Sequence, residues 1–244
     1  MKNYITISFL LSIGALNAAN QYSQPFFPYY SQCGQDKYLI ESVFNHKKNG
    51  VFFDIGAHDG ISYSNTYYFE KELEWTGVCV EPQDENFQSL AKNRKCICLH
   101  GGIFDTEGEL EFIKVNGPSE MLSGLAQTYD PRHLRRAQTE VAQLGGSIEI
   151  LKIKTFRFND ICAKNNITHI DFLSIDTEGS EERIIQSIDF EAIDISVIAV
   201  ENNFRENTIR LFLETKGYSF LCTLTGDDIY IKNVNFLDAT GEYK

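Results

Sequence analysis

The side chains most able to do chemistry in this 244-residue chain begin with Asp54-Ile55-Gly56-Ala57-His58-Asp59-Gly60, a glycine-rich turn behind the short apolar run Val51–Ile55. A turn of this kind lets a ligand approach the backbone closely, and glycine makes the approach cheap. The spacing is G-x-x-x-G with an acid two residues ahead, which differs from the dinucleotide fingerprint G-x-G-x-x-G. A carboxylate aimed into the loop would repel a pyrophosphate and attract an ammonium or sulfonium group. Glu81 directly follows a second apolar run, Thr76–Val80, and could accept hydrogen bonds from both hydroxyls of a ribose. His100-Gly101-Gly102 follows a third run, where an adenine ring would lie. Asp54, Gly56, Ala57, Gly60, Glu81 and Gly102 are therefore the expected cofactor-binding positions.

A second group is acidic. Asp176 and Glu178 follow the apolar run Ile170–Ile175, and Glu201 with Asn202 follows Ile195–Val200. Two or three carboxylates converging there could act as a general base or hold a hard divalent ion such as Mg²⁺. The competing reading is that Asp176 and Glu178 shape the turn and cap the next helix, whose first turn carries Glu181 and Glu182. His133, with Arg132 beside it, is a further candidate base or acceptor-binding group, weighed against a merely solvated histidine on a surface helix. His46 and His169 read as structural. Asp176, Glu178 and His133 are the expected catalytic residues, and no residue is assigned as a metal ligand.

These groups need a frame. Five strand-like apolar runs separated by helical segments describe a doubly wound α/β fold, a parallel sheet covered on both faces. Tyr218–Thr225 and Asp228–Lys232 meet at Gly226-Asp227, a hairpin signal that adds an antiparallel pair at one sheet edge. Helical spacing of Leu39, Ile40, Val43 and Phe44 predicts a helix over 36–44, behind an aromatic arm at 21–32. From about 116 to 147 the alternation breaks, with a helix predicted from Tyr129 to Gly145-Gly146; such insertions are often lids or substrate loops. Asp105-Thr106-Glu107-Gly108 reads as a hairpin turn. The expected organisation is residues 1–19 as leader or anchor, 20–49 as arm and helix, and 50–244 as the catalytic domain.

Net charge is −12, with 22 Lys and Arg against 34 Asp and Glu, so no basic face for nucleic acid is expected. Residues 5–16 form an apolar stretch of signal-peptide length followed by small residues, which points to the secretory pathway or cell envelope. The alternatives are a retained membrane anchor and a cytoplasmic domain. Six cysteines form an even set, yet Cys79, Cys98 and Cys222 fall inside strand-like runs, where cysteine acts as a small hydrophobe. Asn166-Ile167-Thr168 is a lone glycosylation sequon.

The chain resembles the FkbM-type family of S-adenosylmethionine-dependent methyltransferases. The likeness is carried by Gly34-Gln-Asp36, Val51–Gly60, Ser64-Asn65-Thr66, Val80-Glu-Pro82, Met121–Leu125, Asp171–Glu181 and Val200-Glu-Asn-Asn203. It implies a seven-stranded, Rossmann-like class I methyltransferase fold, S-adenosylmethionine as cofactor, and methyl transfer to an oxygen, often a hydroxyl of a sugar or small metabolite. His58 stands where many methyltransferases carry a third glycine. The expected partner is a small-molecule or glycan acceptor, with membrane contact only through an uncleaved N-terminal segment. Two other readings share the fold: a catalytically silent secreted or surface binding protein, and a nucleotide-cofactor oxidoreductase.

Overall fold

The computed structural model describes residues 29–233, so the leader or anchor at 1–19 and Phe26-Phe27-Pro28 of the arm lie outside the described residues. Apolar runs with no polar alternation pack on both faces, and they become the centre of one sheet. Its strands are β1 (Val51–Ile55), β2 (Thr76–Glu81), β3 (Ile97–His100), β8 (His169–Ile175), β9 (Asp194–Glu201), β10 (Tyr218–Leu224) and β11 (Asp227–Lys232). They run in the order β10-β11-β9-β8-β1-β2-β3, with β3, β2, β1, β8 and β9 parallel. β11 is antiparallel to both β9 and β10, so the seven-stranded sheet closes on the C-terminal hairpin the Gly226-Asp227 signal predicts. Asp227 pairs with Glu201. The start of β11 therefore shares an end of the sheet with the ends of the parallel strands.

Alternation within β1 splits the core. Phe52 faces one layer with Phe69, Trp75 and Phe172, under α1 (Gln35–Tyr38, continued by a π turn Leu39–Val43), α2 (Tyr67–Leu73) and α3 (Asp84–Asn93). Phe53 faces the other with Phe158, Ile184, Ile185 and Leu213, under α5 (Phe158–Lys164), α6 (Glu181–Ser187) and α7 (Thr208–Thr215). Each of these wholly buried side chains contributes about 1.5–3 kcal/mol, which is why the sheet's strand ends make a firm platform. Tyr29 of the arm stacks on Tyr68, and Tyr30 meets Tyr67 edge to face. Cys79, Cys98 and Cys222 lie in β2, β3 and β10, and all six cysteines are free thiols.

A second sheet is the main departure from expectation. β4 (Gly102–Phe104), β7 (Ser147–Arg157), β5 (Gly108–Asn116) and β6 (Gly124–Leu125) line up in the order β4-β7-β5-β6. Asp105–Glu107 is consequently not a hairpin turn: β4 and β5 flank β7 on opposite sides, both registering with Thr155. The insertion supplies a 3₁₀ turn Glu120–Leu122, strand β6 and helix α4 (Pro131–Leu144). Pro131 at the first helical position and the Asp130 side chain, which accepts from the Arg132 N–H, start α4 two residues later than expected. Among the described residues no helix is long and apolar enough to cross a membrane.

Candidate active site

The carboxyl ends of the parallel strands carry the predicted residues side by side. Gly56 follows β1 with φ +91°, and a Cβ there would sit 1.8 Å from the Asp176 carbonyl oxygen, so only glycine allows the loops after β1 and β8 to touch. The Gly56 and Ala57 N–H groups both donate to the Val80 carbonyl at 3.0 Å, tying the turn to β2. Gly60 has a different place: it lines none of the cavities described below, its carbonyl accepts from Arg94 Nη1, and a side chain there would strike Leu90 and Arg94. Its role is helix packing.

Glu81 is buried at the end of β2. Its Oε1 accepts from the Gln83 N–H at 2.8 Å and its Oε2 from the His58 N–H at 3.0 Å. Burial pushes this carboxyl up to about 7 against the pull of those two donors. Glu81 lines a narrow, mainly apolar cavity of about 80 Å³ with Val80, Gly101, Gly102 and Ile103, covered by Met121 and Leu125 of the insertion. Gly102 is thus where an adenine pocket requires it, whereas His100 turns aside to stack on Phe87 and pair with Asp84 at 3.1 Å.

A larger polar cavity of about 450 Å³ adjoins it, lined by Asp54, Gly56, Ala57, His58, Asn65, Asp176 and Asp227 among others. Asp54 accepts a hydrogen bond from Thr66 Oγ1 at 2.5 Å, and Arg94 Nη2 donates to the same hydroxyl at 3.0 Å. Burial raises the Asp54 carboxyl, and the Arg94 charge opposes the rise. The turn residue Ser64 holds the Thr66 and Tyr67 N–H groups, which explains the Ser64-Asn65-Thr66 string.

Asp176, Glu178 and Glu201 converge, each offering an oxygen within 4.8 Å of the others. Glu178 lines the apolar cavity, the polar cavity and a third of about 220 Å³ that opens past His133 and Phe204. Burial raises Glu178 to about 8, with the Glu181 charge adding to it and Arg136 opposing. Burial likewise holds Asp176 and Glu201 well above the ordinary carboxylate range, with neighbouring carboxylates adding to it. Three hard oxygen donors this close can share a proton or hold a hard divalent ion. The turn-shaping role falls to Glu181, which reaches back from α6 to accept from the Thr177 and Gly179 N–H groups. Glu178, freed from that role, sits at φ +57°, a left-handed backbone that aims it into the cavities.

His133 is not on the surface. It is buried on α4, with Nε2 3.2 Å from Glu178 Oε2 and 3.3 Å from the Leu122 carbonyl, and burial lowers its basicity. Arg132 instead lies outside, paired with Asp130 and Glu206 and stacked on Phe204. Asn202 also turns away, its side chain bonded to Asp228 and the Glu206 carbonyl. Its neighbour Asn203 takes the expected place, donating to Glu201 at 2.7 Å and Glu178 at 3.2 Å. Sequence reasoning also missed Arg136, Gln35, Asn65 and Asp227, all lining the polar cavity. For Gln35, Asn65 and Asn203 the signal was present in the quoted strings; Asp227 was read only as part of its turn.

The chain has no match among curated proteins. Solved structures similar to it include the FkbM methyltransferase from Methylobacillus flagellatus (12% identity, TM-score 0.46, covering 83% of this chain and 48% of that one). They also include a METTL16 methyltransferase domain (13%, 0.40, 80% and 63%) and a methyltransferase from Pyrococcus furiosus (12%, 0.37, 80% and 80%). The chain spans about half the length of the Methylobacillus protein. The methyltransferase FkbM domain model matches residues 54–220, more than half of the chain, from the end of β1 to the first residues of β10. This chain therefore belongs to the FkbM methyltransferase family, whose methyl donor is S-adenosylmethionine.

Proposed function

We propose that the chain is an O-methyltransferase acting on a hydroxyl of a sugar or small polar metabolite rather than on nucleic acid. The observation that carries this is Glu178, a carboxylate at the junction of all three cavities with Asp176 and Glu201 beside it. S-adenosylmethionine supplies an electrophilic methyl carbon on a sulfonium. An alcohol is a poor nucleophile until a base takes its proton, and in-line placement behind that carbon supplies much of the rate. In its ionised form Glu178, held near 8 by burial, accepts the hydroxyl proton as the oxygen attacks the methyl carbon and the carbon–sulfur bond breaks; Asn203 fixes its orientation, and His133 at 3.2 Å stands on the side of the outer cavity. Glu81 and Gly102 serve the adenosine end, and the acid-rich polar cavity suits the cationic end and a hydroxylated acceptor. A second reading makes Asp176, Glu178 and Glu201 ligands of a divalent ion such as Mg²⁺ that lowers the acceptor's pKa; the approach of their oxygens to within 4.8 Å of one another favours it. Placement in the secretory pathway or envelope rests on residues 1–19 alone.

The test is transfer of labelled methyl from S-adenosylmethionine to a panel of hydroxylated acceptors by wild type and Glu178→Gln. A loss of at least a hundredfold in a folded variant, indifferent to chelator, is expected. Activity abolished by chelator and restored by Mg²⁺ would assign the carboxylates to metal binding. Full activity in Glu178→Gln would remove its role.

A further inference from the structure

The polar cavity is short of positive charge. Asp54, Glu140, Asp176, Glu178, Glu201 and Asp227 line it against one guanidinium, Arg136, which is already paired with Glu140 at 2.8 Å. Asp54, the carboxylate expected to meet a cationic ligand, is backed by Thr66 and Arg94. Asp227 is different: it is 7% exposed, its Oδ2 accepts from Gln35 Nε2 at 2.9 Å, and among the described residues it has no ion-pair partner. Burying a carboxylate without a cation is costly unless a ligand brings one.

A second observation points to the same ligand. Asn65, 9% exposed and lining the same cavity, donates from Nδ2 to Ser174 Oγ at 3.0 Å, while its Oδ1 has no hydrogen-bond partner. A buried acceptor left open awaits a donor. Ser174 registers with Asp54 across β1 and β8, so Asn65 lies one strand beyond the Gly56 turn, on the side away from Glu81 and Gly102. A ligand laid across the strand ends with adenine over β3 and ribose over β2 carries its tail over β1 towards β8.

We infer that Asp227 and Asn65 form the subsite for the α-ammonium of the cofactor's methionine part, with Gln35 holding the Asp227 carboxylate in place. The inference rests on the S-adenosylmethionine assignment above. An ammonium has three N–H donors and one charge; Asp227 supplies the counter-charge, and Asn65 Oδ1 supplies an acceptor. The subsite is built by the two ends of the fold, since Gln35 and Asp227 are 192 residues apart.

The experiment is calorimetric titration of the full chain with S-adenosylhomocysteine, which carries the ammonium, and with 5′-methylthioadenosine, which lacks the amino-acid part. Asp227→Asn is expected to weaken S-adenosylhomocysteine at least tenfold and 5′-methylthioadenosine less than twofold. Asn65→Ala should show the same selectivity with a smaller loss, and it carries the comparison if Asp227→Asn fails to fold. Unchanged S-adenosylhomocysteine affinity, or equal losses for both ligands, overturns the inference while leaving the cofactor assignment standing. A folded wild type that binds neither ligand overturns that assignment, and the inference with it.

Discussion

Glu81 gives the sharpest test of the cofactor site because its protonation and its contacts make opposite demands. Both carboxylate oxygens already accept backbone N–H groups, from Gln83 and His58, and the ribose hydroxyls would add further donors. A proton on this carboxyl would weaken it as an acceptor for the two N–H groups and the ribose hydroxyls together, so the ionised form binds better. With burial holding the group at about 7, roughly 3% of it is ionised at pH 5.5 and most at pH 8.5. S-adenosylhomocysteine should therefore bind at least about thirtyfold more weakly at the lower pH, a loss of about 2 kcal/mol from Glu81 alone. Glu81→Gln keeps one acceptor oxygen and turns an amide nitrogen towards a donor, costing about 1–3 kcal/mol for the unsatisfied group. Its affinity at pH 8.5 should fall tenfold to a hundredfold, and its pH dependence should flatten. Calorimetry from pH 5.5 to 8.5, with folding checked by circular dichroism, decides the matter. A flat wild-type profile, or the same slope in both proteins, would refute the reasoning.

Gly56→Ala places a methyl 1.8 Å from the Asp176 carbonyl at φ +91°, and a loss above about 4 kcal/mol in urea unfolding is expected; an unchanged midpoint would mean the two loops do not touch. Stability should also depend on pH in an unusual direction. Glu178 at about 8, Glu81 at about 7 and Asp227 at about 6 keep protons in the folded chain that the unfolded chain releases near 4–4.5. That stabilisation is complete below the unfolded values and is lost as pH rises through 6 to 8, by about 1.4 kcal/mol per pH unit for each proton concerned. The ligand-free melting temperature should be higher at pH 6 than at pH 8, and the reverse order would contradict the burial of these acids.

The large sheet could be read from sequence because two-faced burial leaves a signature: Val51–Ile55, Thr76–Val80 and Ile195–Val200 are apolar without alternation, and strand ends fix where a loop must open. The second sheet left no such mark. Along β7 most side chains are exposed or half-buried, Ile150 is on the surface, and Lys152 and Lys154 interrupt the run, so it does not read as a buried strand. Site residues delivered by strand ends, Glu81, Asp176 and Glu201, were legible for the same reason. Asp227, delivered by packing across the chain, was not, and Gln35 stood in a quoted string without a role it could be given until its bond to Asp227 was seen. His133 lies between: its four-residue spacing to Ala137 and Val141 marks an apolar stripe on α4, which would have placed it inside.

His58 remains the residue that departs from the usual loop, and its structure shows two separable functions. The backbone N–H holds Glu81, which a glycine could do as well. The imidazole reaches the insertion, with Nε2 3.2 Å from Glu120 Oε1, and Glu120 precedes Met121, which lines both the apolar and the polar cavity. Holding a non-glycine residue at φ +50° costs about 1–2 kcal/mol, and a half-exposed imidazole–carboxylate contact returns about 0–1 kcal/mol. The imidazole is therefore not retained for stability. His58→Gly should leave the melting temperature equal or slightly higher while loosening Met121 and the turn around it. Hydrogen exchange of residues 119–126 with S-adenosylhomocysteine bound should then be several-fold faster than in wild type. A variant that melts several degrees lower, with exchange there unchanged, would show that the imidazole is a packing element and that the insertion is held by its own contacts to Leu122.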